Sequence, residues 1–146
     1  MDSDEDKQAR ANAIAQQFIQ AIPHARALQM SVSEVGAGRA VIEMPYDTRL
    51  IGDPQTGVIH GGAVSTLMDT CGGAAVMAHP SGPRATATLD LRIDYMRAAA
   101  PGMRIIAEAT CYHITRSVAF VRAAARQEDG TQVAAATGAF TVEGLA

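Results

Sequence analysis

Residues 56–70, TGVIHGGAVSTLMDT, carry two kinds of group that together can attack a carbonyl. Asp69 is a carboxylate of the type used in general base chemistry. Gly61 and Gly62 follow His60 at the start of an apolar, helix-like run. Free N–H groups at a helix start, with the helix dipole behind them, hold a developing negative charge. Glycine lets a ligand come close to that backbone. The pair supplies an oxyanion hole and the aspartate supplies the carboxylate.

Helical spacing puts Gly61, Ser65 and Asp69 on one face. Ser65 and Thr66 lie within reach of Asp69, so they could satisfy it as a buried polar strut. Burying a charge is costly without a partner, so a carboxylate kept among apolar residues points to function. The two groups cannot serve one carbonyl from one helix. Gly61 and Asp69 are separated by a rise of about 12 Å, whereas a reacting atom must lie about 3 Å from each. The chemistry therefore requires a second copy, with two helices antiparallel and Asp69 of one facing Gly61 of the other. Gly72 and Gly73 would allow close backbone approach. The expectation is an obligate homodimer with two sites across the interface.

The elements that must position these groups follow from the patterning. Residues 2–6 read as a frayed acidic tail, and 7–22 as a helix with Ile14, Phe18 and Ile22 on its apolar side. Pro23 ends it. Apolar residues at period two over 28–35, the Gly-Ala-Gly turn at 36–38 and the run 39–46 form a hairpin. Residues 47–57 read as a loop. A helix over 61–78, apolar almost all round, is a buried one. The segment 84–96 alternates, with Ala85, Ala87, Leu89, Leu91, Ile93 and Tyr95 facing one way and Thr86, Thr88, Asp90, Arg92 and Asp94 the other. Three further strands fill 103–142, with turns at 115–117 and 128–131; the Asp-Gly step of the second is a hairpin signal. The fold class is α+β, an antiparallel sheet wrapped around a central helix.

Composition narrows the functional classes. The 146 residues fit one domain. Hydrophobic residues make up 48% and aromatics only 4%, so the core is aliphatic. A net charge of −3 does not favour nucleic acid as a partner. Nearly all the bases are arginine, and these concentrate between Arg84 and Arg126, as ordinary surface charge or for phosphate recognition. Cys71 and Cys111 lack metal-ligand spacing and read as core thiols. The acidic start is unlike a signal peptide. No run reaches the roughly 18 apolar residues of a membrane span. These features read as a soluble, cytoplasmic protein with no membrane partner and no metal.

The stretch GVIHGGAVSTLMDT resembles the signature of PaaI-type hotdog-fold acyl-CoA thioesterases, in which an acid lies nine residues after the His of a His-Gly-Gly turn. LDLRIDYMRAA and the strands from 114 to 142 extend the likeness over roughly residues 28–143. The resemblance implies a tail and helix over 1–27 and a hotdog domain over 28–146. It implies that Asp69 acts as base or nucleophile and that the Gly61 amide polarises the thioester carbonyl. It implies that His60 shapes the turn near the thioester, unless it is simply a turn cap. Thr88 would help place water, unless it is an ordinary strand threonine. Many members carry an amide six residues before the His; here Pro54 stands there, with Gln55 beside it to take the role. Gly62, Arg97, Arg116 and Ser117 would contact the substrate, the last three at the nucleotide end of coenzyme A. No cofactor is implied beyond coenzyme A as part of the substrate. The implied assembly is a homodimer, paired further into a dimer of dimers.

Two other readings stay open. One is a noncatalytic acyl-CoA-binding hotdog protein; the other is a hotdog dehydratase or hydratase. The acyl group is left open among short, medium and aryl acids.

Overall fold

Alanine at alternate positions of three long strands governs the architecture. The computed structural model describes residues 1–145. In chain order its elements are α1 (Asp4–Gln20), α2 (Pro23–Ala27), β1 (Ser31–Gly36), β2 (Arg39–Met44), β3 (Ile51–Asp53), β4 (Val58–Ile59), α3 (Gly61–Met77), β5 (Thr88–Tyr95), β6 (Ile105–Ile114), β7 (Val118–Gln127) and β8 (Gln132–Thr141). Register sets Ala109, Ala123 and Ala136 in one row across β6, β7 and β8, and Ala107, Ala125 and Ala134 in the next. All six are buried. Their small side chains leave room on this face, and α3 fills it with Val64, Leu67, Met68, Cys71, Ala75 and Val76. Burying each larger aliphatic side chain is worth about 1.5–3 kcal/mol.

The main sheet is antiparallel, in the order β1-β2-β6-β7-β8-β5. This is the wrapped α+β arrangement expected. The loop expected at 47–57 is more ordered than its turn residues suggest. It contains a short helical turn, Thr48–Leu50, and the small β3–β4 hairpin. No helix is long and apolar enough to cross a membrane among the described residues.

The N-terminus departs from the expected frayed tail. Ser3 Oγ accepts the Asp6 N–H at 3.1 Å, while the Asp6 carboxylate accepts the Ser3 N–H at 3.1 Å. This reciprocal cap starts α1 at Asp4 and places its acids where the dipole favours them. Pro23 does not merely stop α1; it opens α2.

The face of α1 turned to the protein is only partly the expected one: Ala11, Ala15 and Ile22 pack against the core, but Ile14 and Phe18 do not. Gln8, Asn12, Gln16 and Gln20 recur every four residues and bond the β1 side of the sheet. Gln8 Nε2 donates to the Val35 carbonyl at 2.6 Å and Asn12 Oδ1 accepts the Val35 N–H at 3.0 Å. Gln16 Oε1 accepts the Val32 N–H, and Gln20 Nε2 donates to the Met30 carbonyl at 3.2 Å. Side-chain amides thus do for this edge what another strand would do. The rotation buries Ile19 and leaves Ile14 and Phe18 61% and 58% exposed.

At the opposite edge, the alternation expected along β5 is broken. Thr88 pairs with Phe140 and Asp90 with Ala139, so Leu89 is an extra residue, a β-bulge. The bulge shifts the phase. Thr88 joins Leu91, Ile93 and Tyr95 on the face toward α3 instead of opposing them. Gly138 makes the bulge possible, because a Cβ there would lie 2.8 Å from the Asp90 carbonyl oxygen and 2.9 Å from Leu91 Cδ1. Gly72 has a comparable role on α3. It was expected to face another backbone, but its open side meets the Phe140 ring, with Cζ 2.8 Å from where a Cβ would be. Gly73 meets only the Thr86 methyl, at 3.9 Å.

Replacing Gly138 by Ala is expected to destabilise the fold by about 1–3 kcal/mol through overpacking. Urea unfolding should show a lower midpoint with an unchanged slope.

Candidate functional site

Asp69 lies on the stripe of α3 that the sheet does not cover, with Ser65, Thr66, Thr70 and Gly73, all half-buried. The helix is therefore not buried all round, and Asp69 is half-buried, not enclosed. It is not lone either. Thr88 Oγ1 donates to Asp69 Oδ1 at 2.6 Å. Ser65 and Thr66 do not serve the carboxylate. Both donate to the Gly62 carbonyl, at 3.0 and 2.8 Å, since a hydroxyl on a helix readily bonds back to the preceding turn. The contact to Thr88 exists only because the β5 bulge turns that residue toward α3.

The start of α3 is built by three neighbours. His60 is its N-cap, with Nδ1 accepting the Gly62 N–H at 2.8 Å. The neutral ring then carries its proton on Nε2. His60 thus fits the turn-capping role, and the Gly62 N–H is taken by the cap. Gly52 of β3 backs the turn, where a Cβ would stand 2.8 Å from His60 Cα. Tyr95 Oη donates to the Gly61 carbonyl at 3.0 Å, and its ring would lie 3.3 Å from a Cβ on Gly61. The Gly61 N–H has no acceptor among the described residues. The expectation of a free amide at this position therefore concerns Gly61 and not Gly62.

Tyr95, which props Gly61, belongs to the candidate site although the pattern reading left it among the apolar positions. Its signal was available: a tyrosine on an apolar face needs a partner for its hydroxyl.

These groups open onto three clefts, of which the Asp69 and His60 clefts adjoin at His24 and Thr66. Asp69 and Thr88 line a cavity of about 590 Å³ together with residues of α1 and α2. Gly61 and Arg97 line another of about 320 Å³ with Tyr95. His60 and Gly62 line a third, of about 340 Å³. The single chain brings Asp69 to Thr88 and Gly61 to Arg97, but not Asp69 to Gly61, as the helical rise requires. Gln55 is exposed in the β3–β4 turn, its backbone N–H donating to Asp53 Oδ1 at 3.0 Å, and lines none of the three. Arg116 and Ser117 are exposed in the β6–β7 turn, also away from these clefts.

The remaining chemical candidates are structural. Cys71 Sγ donates to the Ala40 and Ala107 carbonyls at 3.3 and 3.5 Å. Burial pushes its thiol up to about 12, so it carries no thiolate at neutral pH. Burial also raises the Cys111 thiol. Among the described residues, no three His, Cys, Asp or Glu gather at metal-holding distance. Several arginines of the 84–126 region meet partners on the sheet's outer side: Arg104 with Glu43 and Glu128, Arg126 with Glu108, and Arg122 over the Tyr112 ring at 4.0 Å. A thiol reagent at neutral pH is expected to label neither cysteine in the folded protein and both after unfolding. Mass spectrometry of the two samples checks this.

Comparison with known proteins adds a family to this geometry. The family model described as the thioesterase superfamily matches residues 56–134. A candidate esterase of Halobacterium salinarum is 32% identical over 124 residues, 79% of this chain and 81% of that protein. A solved Pseudomonas aeruginosa structure is 37% identical with a TM-score of 0.79, covering 90% of this chain and 98% of the other. A mutant of the phenylacetic acid degradation protein PaaI from Thermus thermophilus is 26% identical with a TM-score of 0.74, covering 84% and 100%.

Proposed function

Because the chain belongs to the thioesterase superfamily and has its hotdog fold, we propose that it hydrolyses an acyl-CoA thioester to a free acid and coenzyme A. Family membership supports thioester hydrolysis as the general chemistry; the acyl-CoA substrate and the residue roles are our reading. The observation that carries it is Asp69, held through Oδ1 by Thr88 beside an open cleft, while its other oxygen has no hydrogen-bond partner among the described residues.

Asp69 acts as general base or as nucleophile. As base, it takes a proton from water as the water oxygen bonds the thioester carbon. The carbonyl becomes an oxyanion, received by the Gly61 N–H of a second copy. Collapse of that intermediate breaks the carbon–sulfur bond, and the proton held on Asp69 passes to the leaving sulfur. As nucleophile, an Asp69 oxygen bonds the thioester carbon, the carbon–sulfur bond breaks and the coenzyme A thiolate leaves. Water then cleaves the resulting anhydride, releasing the acid and restoring the Asp69 carboxylate, and the proton released from water is taken up by the thiolate. Tyr95 and His60 act as positioning residues, fixing where the Gly61 amide points. Arg97 lines the same cleft as Gly61 and is our candidate for contact with a coenzyme A phosphate. Arg116, Ser117 and Gln55 remain candidates for contacts completed by the assembled protein.

The homodimer is supported by the β5 edge. Leu89, Tyr95 and Met96 are each more than half exposed there, and no amide-bearing helix covers it as α1 covers β1. An edge strand with exposed apolar side chains is a template for pairing. A second reading, acyl-CoA binding without turnover, draws on Gln55, which lies outside the Asp69 cleft.

Asp69→Asn is expected to lower kcat by about 10²–10⁴-fold while acyl-CoA binding persists. Thiol release followed with a chromogenic dye, beside calorimetric binding, checks both. Full turnover in that variant would reduce Asp69 to a structural group; binding without wild-type turnover would favour the second reading. Thr88→Val is expected to lower kcat by about 10-fold or more, the worth of one hydrogen bond to a charged group, with Thr88→Ser restoring most of it. Sedimentation should show a dimer down to assay concentrations, and a fully active monomer would sink the two-copy site.

A further inference from the structure

The Asp69 cleft continues well past the carboxylate. It runs along α3 by Gly73, Ala74 and Met77, with Phe18 and Ile19 of α1 as its opposite wall. A second cavity, of about 420 Å³, shares Phe18, Ile19, Ala74 and Met77 with it and extends toward Ile14 and Ala11. The two are successive parts of one groove between α1 and α3. Its polarity is graded. Near Asp69 the lining includes Thr66, Thr70 and Thr88, whereas the distal cavity is lined only by apolar residues and glycine. Ile14 and Phe18, more than half exposed, flank the distal part. Exposed apolar side chains clustered along a groove mark a place that an apolar group covers. The wall is held in place, because the Gln8, Asn12, Gln16 and Gln20 side chains tie α1 to the sheet.

We propose that this groove holds the acyl chain, with the thioester at Asp69 and the tail between α1 and α3. This rests on the thioesterase reading above. It makes α1 a specificity element and names the substrate class as medium-chain acyl thioesters. The length follows from geometry. Asp69 to Ala78 spans about 13 Å along the helix axis. An extended acyl chain advances roughly 1.25 Å per carbon–carbon bond, so the groove takes about ten carbons. Ala74 lies about 7.5 Å from Asp69, which corresponds to about six.

The test is hydrolysis of a straight-chain series from butyryl-CoA to palmitoyl-CoA by wild type, Ala74→Phe and Ala11→Phe. Wild-type kcat/KM should peak at about ten carbons. Ala74→Phe, which plugs the middle, should move the peak to about six carbons or fewer; Ala11→Phe, which plugs the far end, should move it only to about eight. Both should lower decanoyl kcat/KM by about 10-fold or more and raise the ratio of butyryl to decanoyl kcat/KM. A graded shift of this kind is not produced by general loss of stability. Binding of decanoate, the product acid, is measured calorimetrically on the same three proteins. If no thioester is hydrolysed but decanoate binds wild type and not Ala74→Phe, the hydrolysis reading fails and the groove stands. If thioesters are hydrolysed with one length profile in all three proteins, the groove is overturned and hydrolysis stands. Conversion of the plugged variants to monomers, with butyryl turnover lost, would show that a second copy covers this face and overturns the proposal. A preference for phenylacetyl-CoA over decanoyl-CoA that Ala11→Phe leaves intact overturns it as well.

Discussion

How closely α3 lies against β8 decides where Asp69 sits relative to Thr88. Gly72 sets that distance. Its missing side chain admits the Phe140 ring, which is almost fully buried. On the same strand as that ring, Gly138 admits the Asp90 carbonyl and so allows the β5 bulge. The two glycines act together. One brings the helix down onto the sheet, and the other turns Thr88 toward it. A methyl group at either position would meet a heavy atom at 2.8 Å, well inside contact distance. The 2.6 Å bond from Thr88 to Asp69 is the outcome of both. Interiors pack too densely to absorb such changes, so the geometry of the carboxylate is fixed from outside the site.

The sheet's two ends are treated differently, and this asymmetry organises the molecule. At β1, four side-chain amides from one face of α1 satisfy exposed strand groups. The same contacts anchor α1 beside α3 and leave Ile14 and Phe18 turned to a groove, not to the core. At β5 no comparable cover exists, and exposed apolar residues remain. One edge is closed within the chain, and the other is left available to a second copy. A site that needs Asp69 and Gly61 from different copies is consistent with that division.

Charge plays a smaller part. Arg39 pairs with Glu34 at 2.7 Å and Glu108 at 2.9 Å, and the Arg39 guanidinium holds the Glu108 carboxyl below its ordinary range. These groups are partly exposed, where ion pairs contribute little to stability. The arginine-rich second half of the chain serves in good part to dress the outer side of the sheet, which leaves Arg97 as the arginine beside a candidate amide.

Periodicity in the chain was enough to establish the central helix, the hairpins and the three long strands, because buried faces impose strict spacing on apolar residues. Helical rise alone separated Gly61 from Asp69, so that a site using both would take a second copy. The rest depended on contacts between residues far apart in sequence. Alternation placed Thr88 away from Leu91; the bulge, made by Gly138 some fifty residues later, reversed that. Four-residue spacing marked Ile14 and Phe18 as a core face; the free edge of β1 claimed the amide face of α1 instead. Tyr95 became a prop for Gly61 only once β5 lay beside the start of α3. The chain's local pattern determined which elements form and which residue types could do chemistry. Only the packed structure decided which of those residues meet, because bulges, edges and close glycine contacts are set by partners that local spacing does not encode.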